Sequence, residues 1–220
     1  MSLKLLFFDE LIGYAKSKVM IVLWVGLPLL AFVIQFINPN NLEGMPVSYL
    51  VALVVSSIGG TLSSIMLSTT IVSEKNRHVY ELFLMRPVRR SSLILAKYLA
   101  VYLCLVIAVS ISLGVGLIID SISGDLSGNF LDSTFESLII GISSMSITCS
   151  IGIFFGVVIS SVPVAAILSV YLGSQLSSII ILPTFFIQSL NPIYLALSLG
   201  IIITGVVMSI NVVLFSRQQF

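Results

Sequence analysis

The sequence is poor in charged residues. Only 9% of its 220 residues are Asp, Glu, Lys or Arg, whereas a soluble domain carries about 25%. Because 58% of the residues are hydrophobic, the chain has too little polar surface to cover a water-soluble globule, and we expect it to use lipid as its solvent. The net charge of +1 gives no indication of a nucleic-acid partner.

The residue types that build catalytic and metal sites are also scarce. His78 is the only histidine, and Cys104 and Cys149 lie in apolar runs without CxxC spacing, which predicts small packing residues. The long apolar runs contain no cluster of metal-ligating residues and no acid or base at membrane depth. This pattern disfavours an intramembrane enzyme and an ion-coupled carrier, since both need such groups.

The sequence contains no GxxxxGK[ST] loop. That loop cradles the phosphates of a bound nucleotide. Any work driven by ATP must therefore draw on a nucleotide bound by another chain.

Six apolar segments are long enough to cross a membrane, which takes about 20 residues in a helix. They cover roughly residues 19–37, 48–72, 97–119, 137–159, 164–183 and 193–215. Lys97 stands at the edge of the third segment, where its side chain can extend to the membrane interface. The fold prediction is an all-α integral membrane protein with six transmembrane helices in one domain, residues 1–220.

With six spans, all ten Lys and Arg residues fall on one side of the membrane. They lie in the N-terminal segment, in the loop after the second span and in the C-terminal tail, while the opposite side carries acidic residues such as Glu43 and Asp125. Cytoplasmic loops carry the excess of Lys and Arg. The pattern therefore predicts a multi-pass protein of the plasma membrane with both termini in the cytoplasm.

The segment before the first span, residues 1–18, has a mixed character. Leu5, Phe8 and Ile12 recur at helical spacing, and charged residues such as Asp9 interrupt them. The segment is too short and too polar to span, so we predict an amphipathic helix in the cytoplasmic interface. A helical leader that extends the first span is the alternative. Since no clean signal-peptide core is present, we expect the first span to act as an uncleaved insertion signal.

Two spans carry rows of small residues at helical spacing. These are Ser57, Gly60, Ser64 and Ser68 in the second span, and Ser144, Thr148, Gly152 and Gly156 in the fourth. Such rows let helix backbones approach closely in lipid. They are candidates for the wall of a translocation pathway or for a subunit seam, and helix packing within one chain explains them at least as well.

The loop between the second and third spans, residues 73–97, holds six of the ten basic residues. Residues 74–85 contain no helix breaker and have one apolar face, which predicts a short cytosolic helix that Pro87 ends. A topology anchor explains the arginines. It does not explain the apolar residues of ELFLM, 81–85, because such side chains outside the membrane need a partner or the interface.

This loop resembles the signature after the second span of ABC type-2 exporter permeases, E-K/R-x-R-x-x-x-E-L-L-L-x-x-P-V-R-R-x-x-L-x-x-x-K. The matching residues are Glu74, Lys75, Arg77, Glu81, Leu82, Leu84, Pro87, Val88, Arg89, Leu93 and Lys97. The layout of the whole chain is similar to that family, including an NP-x-Y element that begins at Asn191. His78 and Val79 depart from the Gly and Thr that the family usually has there.

The resemblance implies the permease subunit of an ATP-driven ABC exporter, which lies in membrane lipid and forms its pathway with a second permease copy, as a homo- or heterodimer. Two copies of a separate ATPase would bind ATP and Mg, so this chain is not expected to be an enzyme. The loop 74–90 would be the coupling helix that docks on the ATPase. By position, the contact residues would be Glu74, Arg77, Tyr80, Glu81, Leu82, Phe83, Pro87 and Arg89.

Two further segments acquire roles from the resemblance. The turn at 160–163 would make a second, weaker contact with the ATPase, and residues 181–194 would form short re-entrant helices on the outer side. A membrane anchor or sensor of an ABC-type ATPase complex, without solute export, would need the same coupling helix and is the alternative function. An ion-coupled carrier or an intramembrane enzyme is the third.

Overall fold

The computed structural model describes residues 3–37, 47–77, 90–123, 130–186 and 191–217. Within these ranges the chain forms seven α-helices and no β-strand. The helices are α1 (Leu3–Ala15), α2 (Lys18–Ile37), α3 (Val47–Asn76), α4 (Arg90–Ser123), α5 (Phe130–Val158), α6 (Val162–Phe186) and α7 (Pro192–Arg217). The predicted all-α class is confirmed for this part of the chain.

Four of these helices, α3, α4, α5 and α7, are long and apolar enough to cross a membrane. Helices α1 and α2 pass the same test only together, across a break where the chain bends by 65°. The part of α6 whose side chains are described, Val162–Ser178, is apolar but shorter. The all-α membrane protein is therefore supported by four helices. The full count of six spans stays a prediction.

Helices α3 and α4 extend beyond the segments that hydropathy marks. Helix α3 continues past the predicted end at residue 72 to Asn76, and α4 begins at Arg90, before the predicted start at residue 97. Hydropathy reports where lipid contacts the chain, whereas backbone hydrogen bonds sustain a helix beyond that level. The basic loop is thus shorter than predicted, and it starts and ends on two long helices.

Contacts between helices fix the direction in which each one runs. Helices α2, α4 and α6 run one way, and α3, α5 and α7 run the opposite way. The pairs of residues that show this are Trp24–Cys104 and Leu27–Ser112 for α2 and α4, Tyr98–Ser146 and Tyr102–Ile142 for α4 and α5, Gly60–Thr148 and Ser64–Gly152 for α3 and α5, Ser68–Ser169 and Ser64–Gly173 for α3 and α6, and Ser143–Gly200 and Ser150–Asn211 for α5 and α7.

The closest helix pair in the bundle is α3 with α5. A Cβ added to Gly152 would lie 2.7 Å from backbone atoms of Ser64, and one added to Gly60 would lie 2.7 Å from Oγ1 of Thr148. Only glycine at these positions allows the two backbones to approach so closely. Both predicted rows of small residues therefore contribute to one helix–helix contact within the chain.

One member of the predicted rows lies elsewhere. Ser57 is exposed, and the buried Ser56 continues the row of α3 toward Gly141 on α5. Residues four apart on a helix keep to one side of it, so Ser56 is in register with Gly60. Ser56 and Ser57 are both small and adjacent in the sequence, and only the orientation of α3 shows which of them is packed.

The bundle carries large apolar side chains on its outside and buries several polar side chains within its largely apolar core. Val22 and Ile201 are largely exposed, whereas Ser68 and Asn211 are completely buried. The Ser68 hydroxyl donates to a carbonyl one turn earlier in its own helix at 3.0 Å, and Asn211 Nδ2 donates to the carbonyl of Ser150 at 2.9 Å. This arrangement suits a lipid solvent, in which polar groups must be satisfied inside the protein.

Gly152→Ala is expected to lower the free energy of unfolding by about 1–3 kcal/mol, because the added methyl group meets the backbone of α3 and forces the helices apart. The matched control is Gly205→Ala on α7, where a Cβ meets nothing within 4 Å and alanine favours the helix. The measurement is the midpoint of unfolding when SDS is titrated into protein in a mild detergent. Equal midpoints for the two variants would contradict the close contact.

Candidate functional site at the basic end of the bundle

The end of α3 and the turn between α5 and α6 lie side by side. Lys75 Nζ donates to the carbonyl of Val157 at 3.3 Å, and Asn76 Nδ2 donates to the carbonyl of Ser160 at 3.1 Å. Ser160 and Ser161 are exposed. The structure therefore brings the start of the basic loop next to the turn at 160–163, the two segments that the sequence analysis considered for contact with an ATPase.

Lys97 forms the centre of this end of the bundle. Its side chain is only 5% exposed, and its Nζ lies 2.9 Å from Oε1 of Glu10 and 2.7 Å from Oε1 of Glu74. That Lys97 reaches the membrane interface stays a prediction, and the structure adds that its side chain is enclosed between helices. Burial of an ammonium group is costly unless it is paired, and here α1 and α3 each supply a carboxylate, so that one lysine on α4 joins three helices.

Burial also changes two titratable groups on α1. It raises the pKa of the Glu10 carboxyl above its ordinary value, although the Lys97 ammonium acts in the opposite direction. It also raises the pKa of the Tyr14 hydroxyl, to about 12. The Lys97 ammonium lies 5.8 Å from the centre of the Tyr14 ring, a distance that suits a cation–π contact.

Two polar atoms of this cluster are buried without a hydrogen-bond partner among the described residues. They are the hydroxyl oxygen of Tyr14 and Oε2 of Glu74. Buried polar atoms are normally paired. Both atoms belong to residues that line an open groove of about 480 Å³ between the α1–α2 elbow and α3.

The groove is polar at one end and apolar at the other. Glu10, Tyr14 and Glu74 line the end beside Lys97, and Leu62 and Ile65 line the part that runs along α3. The sequence does not reveal this site, because its residues come from helices that only the fold brings together. The available signal was the position of Glu10 and Lys97 as charged residues on otherwise largely apolar segments.

Two of the eight residues predicted to contact an ATPase lie in the described part of the chain. The Glu74 carboxylate pairs with Lys97 within the chain, and Arg77 is exposed at the end of α3. The other predicted contact residues lie outside the described residues: Tyr80, Glu81, Leu82, Phe83, Pro87 and Arg89. His78 lies outside them as well, and so do residues 187–190 of the predicted re-entrant segment.

Lys97→Met is expected to lower the free energy of unfolding by about 3–5 kcal/mol, because it leaves two carboxylates partly buried without their cation. Adding Glu10→Gln and Glu74→Gln to this variant should recover much of the loss, since the triple variant buries no unpaired charge. The exposed Lys16 supplies the control, Lys16→Met, with no expected change. SDS titration measures the stability of these three variants and of the wild-type protein. If Lys97→Met were as stable as Lys16→Met, the pairing of Lys97 with Glu10 and Glu74 would be contradicted.

The comparisons with known proteins agree with this architecture. A family model described as ABC-2 family transporter protein matches residues 14–176, about three quarters of the chain, from the end of α1 into α6. A comparison with curated proteins finds no match. With its long apolar helices and a match over most of its length, the chain belongs to the ABC-2 transporter family and is an ABC-2 type permease.

Proposed function

We propose that this chain is the permease subunit of an ATP-driven ABC exporter, which docks on separate ATPase subunits through residues 74–90. The observation that carries the proposal is the continuity of α3 and α4 into this segment. Helix α3 remains helical to Asn76 and α4 begins at Arg90, so a partner that grips the residues between them acts directly on two long helices of the bundle.

The ion cluster of Lys97, Glu10 and Glu74 supports the same role. Lys97 and Glu74 join α4 to α3 at 2.7 Å just inside the segment, and Glu10 adds α1 at 2.9 Å. A displacement applied to the coupling segment would therefore move α3 and α4 together and carry α1 with them. The exposed turn at Ser160, which is bonded to Asn76, supplies the second surface for the ATPase.

We propose six spans, α2 to α7, with both termini in the cytoplasm of a plasma-membrane protein. The alternation of helix direction supports this topology, because each successive helix from α2 to α7 runs opposite to the one before it. Helix α1 is proposed to lie in the interface. The 65° bend before α2 supports this placement, and so does the exposure of Leu5, Phe8 and Ile12, each more than half exposed.

The pathway is proposed to form between two copies of the permease, either identical or related. Two ATPase subunits would bind the ATP and Mg that drive export, and this chain would carry no catalytic residues. The small residues of α3 and α5 already contact each other within one chain, which favours a packing role for them. Spans without charged residues in their interiors favour an amphipathic or apolar cargo.

The coupling segment is tested by Glu81→Lys combined with Phe83→Asp. We expect this pair to abolish copurification of the co-expressed ATPase, because it reverses one charge and places another in the apolar face of the segment. The matched control makes the same two changes near the start of α5, Glu136→Lys with Phe135→Asp, at the opposite end of the bundle. Undiminished copurification with the first pair would refute the docking role.

The topology is tested with two single-cysteine variants. Phe135 and Arg217 are exposed at opposite ends of the bundle, and the native Cys104 and Cys149 are buried. On intact cells a membrane-impermeant maleimide should label Phe135→Cys at once, and should label Arg217→Cys only after the membrane is permeabilised. The reverse order, or labelling of both from outside, would overturn the proposed orientation.

A further inference from the structure

A second open groove lies between α1 and α4, and we call it the α1–α4 groove. It has a volume of about 380 Å³, within the range of about 300–1,000 Å³ that is typical of small-molecule sites. Two residues of α1 and four of α4 line it: Lys4, Phe7, Leu99, Tyr102, Leu103 and Val106. The four on α4 are spaced three and four apart, so they share one face of that helix, and the groove follows α4 with α1 on one side.

The wall that α4 contributes is hydrocarbon. Leu99 and Leu103 are each 40% exposed. The Tyr102 ring stacks on the Tyr98 ring with 5.7 Å between the ring centres, and the Tyr102 hydroxyl lies 3.5 Å from the carbonyl of Ile142 on α5. Because that hydroxyl is engaged on α5, the ring of Tyr102 is left to form the groove wall. Two leucines and an immobilised ring make a surface that suits an acyl chain.

The α1 side of the groove adds a cation. Lys4 carries the only charge among the described residues that line the groove, and it is exposed and forms no ion pair with a described residue. The Glu10 carboxylate of the same helix is bound to Lys97, and Asp9 stands five positions after Lys4, about 140° around the helix. A ligand that fills the groove therefore meets one unneutralised positive charge, which favours an anion.

The position of the groove along α4 matches one end of a membrane leaflet. Its wall from Leu99 to Val106 is about 10 Å long at about 1.5 Å per residue, and it lies wholly within the predicted span 97–119. Helix α1 packs on α4 just before that span, through contact of Leu6 with Leu93. The cation thus comes from a helix at the level where α4 enters its apolar span, and the hydrocarbon wall continues from there into the span.

We propose that the α1–α4 groove binds an anionic phospholipid of the leaflet in which α1 lies. The lipid phosphate pairs with the Lys4 ammonium, and one acyl chain lies along Leu99, Leu103 and Val106. A zwitterionic headgroup brings an ammonium of its own, which finds no carboxylate among the described lining residues. The bound lipid fastens α1 to α4. The proposal requires only a membrane-embedded bundle, so it can fail or hold independently of the export role.

The test offers the full-length protein in mild detergent an equimolar mixture of phosphatidylglycerol and phosphatidylethanolamine with identical acyl chains. Native mass spectrometry then counts the lipid adducts that remain. We expect the wild-type protein to retain phosphatidylglycerol about fivefold over phosphatidylethanolamine, the effect of one lysine at an anionic headgroup. Lys4→Gln should retain the two lipids about equally, because it removes the charge and keeps most of the side chain.

The matched control for charge is Lys18→Gln. It removes an exposed lysine outside the groove and gives the same net charge as Lys4→Gln, so it should keep the wild-type preference. Equal retention of the two lipids by the wild-type protein would overturn the proposal. So would an equal loss of preference in both variants, since that result indicates a general attraction of anionic lipid to a basic protein.

The acyl-chain part of the site is tested by Leu103→Trp, which fills the groove. It should lower the amount of retained phosphatidylglycerol by about fivefold or more, because the chain loses its apolar wall. The control is Ile107→Trp, one turn further along α4, where the side chain is 41% exposed and does not line the groove. Unchanged retention in Leu103→Trp would overturn the proposal, and so would a shift from dimer to monomer without loss of lipid, because a second copy would then cover the groove.

Discussion

The close contact between α3 and α5 is the interaction on which the rest of the bundle depends. In lipid there is no hydrophobic force to bring two helices together, so association depends on close packing and on hydrogen bonds. Gly152 allows the backbone of α3 to approach at Ser64, and the Ser64 hydroxyl is satisfied by a carbonyl of its own helix at 2.8 Å. Helices α6 and α7 then pack against this pair with glycines of their own, Gly173 and Gly200.

The ion cluster joins elements that this central pair does not hold. Helix α1 precedes the bundle, and it reaches α4 through apolar contacts of Leu6 with Leu93 and Ala96. The pairing of Glu10 with Lys97 gives that contact a fixed register. Because Lys97 is also bonded to Glu74, the segment proposed to meet the ATPase and the helix proposed to lie in the interface are connected through one buried ammonium group.

The differences between prediction and structure share a physical origin. Hydropathy located the helices well but not the ends of α3 and α4, since a helix can continue after its lipid-facing part has ended. Helical periodicity identified a row on α3 but included Ser57, where the packed residue is Ser56. On α1 the regularly spaced Leu5, Phe8 and Ile12 are exposed, and other residues contact α4. A sequence pattern shows which residues share a face, but not which neighbour that face meets.

The sequence by itself determined that the chain lies in lipid, that it is helical and which family it resembles. A chain with 9% charged residues and long apolar runs can satisfy its backbone in lipid only as helices or as a closed barrel, and the signature of the basic loop indicated the family. Only the tertiary structure decided that Lys97 is buried between Glu10 and Glu74, and that Tyr14 and Glu74 face one groove. Those residues lie far apart in the chain, so their distances depend on how three helices pack, which no local pattern encodes.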